Sequence, residues 1–135
     1  MTQGQQQVIA QAIKPFATDY DMAFVPNDME TGLFVRKIQE TLDMGGWLQI
    51  PWSGPQKYYD NGRPIIGVAP VVGVIVVPRS DLPENDRLRQ DNDTSAKALV
   101  SALSSCGIQA QVIAGPLQNL GSPTVMHILV GKKLM

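Results

Sequence analysis

"ETLDMGGWLQI" spans Glu40 to Ile50, and "ALSSCGIQAQV" spans Ala102 to Val112. Each reads as the end of an amphipathic helix, a glycine that stops it, and a chain turning back into a strand. Glycine suits the left-handed conformation that closes a helix. Ile38, Leu42, Gly46 and Trp47 of the first copy line up with Leu99, Leu103, Gly107 and Ile108 of the second. Reading outward gives strand, helix, glycine and strand on both sides. The match is one of pattern, barely of identity, and does not show duplication.

In the first half, "DYDMAFVP" (19–26) is short, apolar and closed by Pro26, and predicts strand one. "PNDMETGLFVRKIQETLDMGG" follows it. Asn27 or Asp28 caps this helix, and Glu30 suits its positive end. Leu33, Phe34, Ile38 and Leu42 make its expected buried stripe. "WLQIPW" is a short strand two, limited by Pro51. Ahead of these, "TQGQ" (2–5) matches a capping box. Val8, Ile9, Ala12, Ile13 and Phe16 share a helical face, and Pro15 ends the regular helix near Lys14.

In the second half, "VGVIVVP" (72–78) predicts the main strand of a longer apolar stretch, Pro64 to Pro78. That stretch is shorter than the roughly 20 residues a spanning helix needs, and Gly67, Pro70 and Gly73 interrupt it. "RSDLPENDRLRQDND" is a charged connection. Asp93 caps a helix through Ser105, with Ala96, Leu99, Val100 and Leu103 inward. "IQAQVIAG" and "TVMHILVG" are the last two strands. The predicted fold is α/β: a two-layer sandwich of three helices on a mixed sheet of four to five strands, built from two βαβ-like units. It is one domain over 1–135, with an N-terminal helix (1–16), a first unit (20–52) and a second unit with an extra strand (65–131). The N-terminal helix packs on the same sheet or reaches toward whatever precedes it.

The chain has 135 residues, 11 basic and 12 acidic, for a formal net charge of −1. That balance does not draw it to nucleic acid. One cysteine, Cys106, excludes an internal disulfide, and "MTQGQQQVIA" lacks a signal-peptide pattern.

The whole arrangement resembles the soluble C-terminal domain of uncharacterised bacterial membrane-anchored proteins. The residues that carry the resemblance are "QQQVIAQAIKPF", Glu30, "LDMGGW", "GVIVVP", "ALVSALSSCG" and "ILVGKK". It implies a membrane-anchoring segment upstream, which this sequence lacks, so Met1 would open an excised soluble portion tethered at the inner membrane. It implies no catalytic residue.

Reactive groups are sparse. His127, the one histidine, sits in an alternating strand and has no Cys/His ligand set beside it, so it reads as structural. Cys106 precedes Gly107 at a helix C-terminus, where the dipole disfavours a thiolate. Asp81, Glu84, Asp86, Asp91 and Asp93 lack the spacing of a calcium loop and alternate with Arg79, Arg87 and Arg89, as in a solvated, mutually neutralising segment. No glycine-rich phosphate cradle and no G-x-S-x-G elbow occurs. Neither a cofactor nor a metal is expected.

"SGPQKYYDNGR" (53–63) is the clearest loop, and "PWSGPQKYYDNGRP" (51–64) around it is the stretch richest in recognition chemistry. Trp52, Tyr58 and Tyr59 fall within eight positions, with Lys57 and Arg63 beside them. Rigid aromatics with arginine give contact area at little entropic cost. The expectation is a binding surface at Trp52, Tyr58, Tyr59 and Arg63, taking a small ligand or a protein partner in a non-enzymatic interaction or ligand-sensing module. The rival is a small-nucleotide-binding protein or enzyme with its site at strand C-terminal ends, on Asn27, Asp28, Arg79 and Ser80. A third reading is a homo-oligomerisation domain that uses an edge strand.

Overall fold

The computed structural model describes residues 1–24, 29–50, 59–60, 63–64, 73–79, 81–113 and 124–131. The chain is an α/β fold. Helix α1 (Gln3–Ile13) leads through a 3-10 turn (Lys14–Phe16) into β1 (Asp19–Phe24). Then come α2 (Met29–Met44), β2 (Leu48–Gln49), β3 (Tyr59–Asp60), β4 (Arg63–Pro64), β5 (Val74–Val77), α3 (Arg87–Ser105), β6 (Ala110–Val112) and β7 (Met126–Val130). The main sheet has five strands in the order β2-β1-β7-β5-β6. β1 is parallel to β2, and β5 is parallel to β6. β7 lies between the two pairs, parallel to β1 and antiparallel to β5. The sheet is therefore mixed, and the two βαβ units run in opposite directions on either side of the last strand.

The two glycine stops are built alike. Gly46 and Gly107 have φ of 78° and 77°. Trp47 N–H donates to Leu42 at 2.9 Å and Gly46 N–H to Asp43 at 3.0 Å; Ile108 N–H donates to Leu103 and Gly107 N–H to Ser104, both at 3.0 Å. Each helix thus closes its last carbonyls with the same two bonds and an apolar pair across the turn. Leu42, Trp47, Leu103 and Ile108 all lie in one buried cluster.

That cluster takes residues from all three helices and from alternate positions of the strands: Tyr20 and Met22, Val74 and Val76, Met126, Ile128 and Val130. The intervening residues Asp21, Ile75, Val77, His127 and Leu129 are also buried. At these positions both faces of the three central strands are removed from water, as near-continuous apolar runs require.

α1 packs between α2 and α3. The capping box at its start is formed, with Gln5 N–H donating to Thr2 Oγ1 at 3.1 Å and Thr2 N–H to Gln5 Oε1 at 2.9 Å. Its buried face is Gln6, Ile9, Ala10 and Ile13, while Val8 is 60% exposed and Ala12 is exposed. Val8 is five residues from Ile13, about 140° around the helix, whereas Gln6, seven residues away, stands almost over it. The Gln6 amide is tolerated inside because it donates to Lys37 O at 3.2 Å and Glu40 Oε2 at 3.3 Å. Trp47 Nε1 donates to Ile13 O at 3.0 Å and Ser95 Oγ to Phe16 O at 2.9 Å, which ties both flanking units to this helix. The same angular rule corrects α2: Leu33 is 59% exposed and Val35 is buried in its place.

α3 begins at Arg87, not after Asp93. Its cap is Asp86, whose side chain accepts from Leu88 N–H at 2.8 Å. The first two turns carry no apolar stripe, since Leu88 is 62% exposed. They are held by polar bonds: Asn92 Oδ1 accepts from Arg79 N–H at 2.8 Å, and Arg89 Nη1 donates to Leu82 O at 2.8 Å. Half of the predicted connection is therefore helix. The predicted loop at 53–63 contains a separate two-stranded ladder, with Tyr59 opposite Pro64 and Asp60 opposite Arg63. Asn61-Gly62 separates the two strands in sequence, the strongest short-range hairpin signal.

Tyr20 sits in the helix-side core at 2% exposure. Burial, and secondarily the Asp43 carboxylate, push its hydroxyl from 10.0 up to about 12. The unfolded chain therefore releases this proton first. Stability from this group is complete below about pH 10 and is lost as pH rises toward 12. A loss on the order of 2 kcal/mol is expected across that window, read by urea titration and absent from Tyr20→Phe.

Candidate functional site

The second face of the sheet carries the most reactive pair among the described residues. Tyr20 and Met22 of β1 point into the helix-side core, so Asp21 between them points the other way. Met126 and Ile128 of β7 do the same for His127. The register places Asp21 beside His127 and His127 beside Val77. His127 Nδ1 lies 2.5 Å from Asp21 Oδ1. Asp21 is 0% and His127 6% exposed, and Val77, Leu129 and Ile75 are buried on the same face. The contact between Nδ1 and the carboxylate fixes the orientation of the imidazole. Such a pair can orient an imidazole for proton transfer, or can join two strands through a buried polar contact. The expectation that His127 is structural named no partner for it. The structure supplies Asp21, 106 residues earlier in the chain.

At the C-terminal end of β5, Arg79 Nε and Nη2 donate to the two Asp81 oxygens at 2.8 and 2.7 Å. These bonds hold the Asp81 carboxyl below its ordinary pKa and raise that of Arg79. The guanidinium fork is thus occupied by its own neighbour. The other acidic side chains of this segment do not converge, and no group of three His, Cys, Asp or Glu able to hold a metal occurs among the described residues. Arg89 Nε is buried without a hydrogen-bond partner there.

The remaining candidates divide by place. Asn27, Asp28, Trp52, Tyr58 and Ser80 lie outside the described residues. Tyr59 and Arg63 occupy neighbouring, not opposed, register positions of the β3–β4 ladder. The strand ends behind the grouping of Asn27 and Asp28 with Arg79 and Ser80 are not adjacent. Phe24 registers with Val130, and Val130 with the first residue of β5, whereas Val77 at its other end registers with His127. Phe24 and Val77 therefore lie at opposite ends of their strands along the sheet.

Cys106 is the C-cap of α3, half-buried, and its carbonyl accepts from Gln5 Nε2 at 3.4 Å. Along α1, a shallow recess of about 130 Å³ is lined by Gln7, Ala10, Gln11, Lys14 and Met44. This is below the few hundred Å³ of ordinary ligand pockets. No described helix is long and apolar enough to cross a membrane.

The fold and its buried Asp–His pair define a mixed-sheet α/β domain. No protein-family model, curated protein or solved structure matches the chain.

Proposed function

We propose that this chain is a non-enzymatic interaction or ligand-sensing module, the part outside the lipid of a larger bacterial membrane-associated protein. The observation that carries the reading is where the reactive side chains are spent. His127 and Asp21 are bonded to each other inside the sheet, Arg79 to Asp81, Asn92 to the Arg79 backbone, and Asp86 to the start of α3. Each of these contacts serves the fold. The aromatic and cationic residues Trp52, Tyr58, Tyr59 and Arg63 are recognition chemistry of the sequence that none of these contacts uses, and Tyr59 and Arg63 belong to the β3–β4 ladder, which is separate from the main sheet. The membrane context rests on the sequence resemblance alone.

A second reading, a small-nucleotide-binding protein or enzyme at the strand ends, is favoured by Arg79, a cation held just beyond β5 and one carboxylate away from being free for an anion. A thermal-shift screen with nucleotides, sugars and peptidoglycan fragments separates the two. The interaction reading expects a saccharide or peptide fragment to raise Tm by several degrees in the native chain and in Arg79→Ala, but not in Tyr58→Ala. A shift given by nucleotides and lost in Arg79→Ala alone would transfer the function to the strand ends. No shift with any of the three classes would remove ligand sensing.

A further inference from the structure

Among the described residues, the outer edge of β6 carries no further strand. Val74 N–H donates to Gln109 O at 2.9 Å, and Ile113 N–H to Val76 O at 3.0 Å. With the parallel register of Ile75 on Gln111, these bonds turn Gln109, Gln111 and Ile113 toward β5. The N–H and C=O groups of Ala110 and Val112 therefore point away from the sheet, and no hydrogen bond reaches them from any described residue. The edge is also half-covered on its core side: Ala110, Val112 and Val100 of the overlying α3 are partly buried apolar side chains packed against the core. Residues 108–113 carry no lysine, proline or acid, the usual devices that keep an edge from pairing. The opposite edge differs. β2 has two residues, turns only Gln49 outward, and is followed one residue later by Pro51.

We propose that β6 pairs antiparallel with β6 of a second copy of this chain, about a two-fold axis through Gln111. The geometry is self-complementary. Centring on Gln111 sets Ala110 against Val112 of the other copy and Val112 against its Ala110, so the outward donors and acceptors of both copies satisfy one another. Gln111, exposed on the face away from the helices, meets its own equivalent. Its amide both donates and accepts, so identical partners bond where identical charges would repel. A neutral edge fits a second copy better than it fits a charged peptide. The contact is short, well under the roughly 1,600 Å² of a standard interface, so the dimer is weak, with Kd on the order of 100 µM.

Sedimentation equilibrium from about 5 to 500 µM tests this, together with amide exchange at the two extremes. The mass is expected to rise from the 14.7 kDa monomer toward twice that value. The Ala110 and Val112 amides are expected to gain protection at high concentration, while that of Gln49 does not. Gln111→Lys places like charges face to face and weakens association at least tenfold. Val112→Pro removes an outward N–H that β5 does not use, and does the same. Leu48→Lys, on the other edge, leaves it unchanged. A mass that stays monomeric throughout, or dimers whose Ala110 and Val112 amides stay unprotected, overturns the proposal. So does equal weakening by Leu48→Lys.

Discussion

Asp21→Ala is expected to lower the unfolding free energy by about 3–5 kcal/mol, and His127→Leu by a similar amount, with both losses read as a drop in urea midpoint at unchanged slope. The reason is the asymmetry of buried polar pairs. Asp21 and His127 are almost wholly inaccessible, and their 2.5 Å contact lies among Val77, Leu129 and Ile75. The net worth of the intact contact is modest, because both groups gave up water to form it. Removing one leaves the other buried without this partner, and that penalty outweighs the lost contact itself. The double variant Asp21→Val, His127→Leu removes both sides of the contact and refills the space with apolar volume. Its loss is expected to fall short of the sum of the single losses by about 2 kcal/mol or more. Additive losses would mean that the two side chains do not act as a unit. The same variants bear on function: under the interaction reading, a double variant that folds keeps its ligand- or partner-induced stabilisation. Losing that response while keeping the fold would give the pair a role beyond joining β1 to β7.

The elements that carry a periodic apolar pattern were legible in the sequence. Ile38, Leu42, Leu99 and Leu103 lie where their spacing put them, and the paired glycine stops at Gly46 and Gly107 have matching geometry. Where residue type and angular position disagree, angular position decides burial. Val8 and Leu33 are apolar but stand off the stripe, while Gln6 is polar and on it. The first turns of α3 were invisible to a hydrophobic pattern because hydrogen bonds from Arg79 and Arg89 hold them. At the site, the informative residue in the sequence is Asp21. A carboxylate between Tyr20 and Met22, inside a strand, must face either water or a partner, and a histidine inside another strand is the natural partner. Strand order decides whether the two meet, and order is a property of long-range pairing that one sequence does not display. Strand direction likewise puts Phe24 and Val77 at opposite ends of the sheet's strands, although each ends a strand that leads into a helix.

Gly73→Ala tests the junction of the two parallel strands beside β7. Gly73 has φ of 73°, and a Cβ built there would lie 2.4 Å from the Gln109 carbonyl oxygen, a backbone atom that cannot swing aside. That oxygen accepts from Val74 N–H at 2.9 Å, and Gly73 O accepts from Gly131 N–H at 2.8 Å, so the residue ties β5 to the approach of β6 and to the end of β7. Gly107 is the internal control. Its φ is 77°, yet a Cβ there meets nothing within 4 Å. Gly107→Ala should therefore incur only the strain of a left-handed backbone carrying a Cβ, about 1–2 kcal/mol. Gly73→Ala adds a clash that only a shift of the β5–β6 pair relieves, and a total of about 3 kcal/mol or more is expected. Chemical denaturation of both variants gives the comparison, and amide exchange at Val74 and Ile113 locates it, because these amides should lose protection in Gly73→Ala and keep it in Gly107→Ala. Equal losses in the two variants would mean that the close approach of Gly73 to Gln109 does not constrain the sheet. If β6 is the self-association edge, Gly73→Ala also weakens dimerisation, because displacing β6 moves the outward groups of Ala110 and Val112 from their two-fold register.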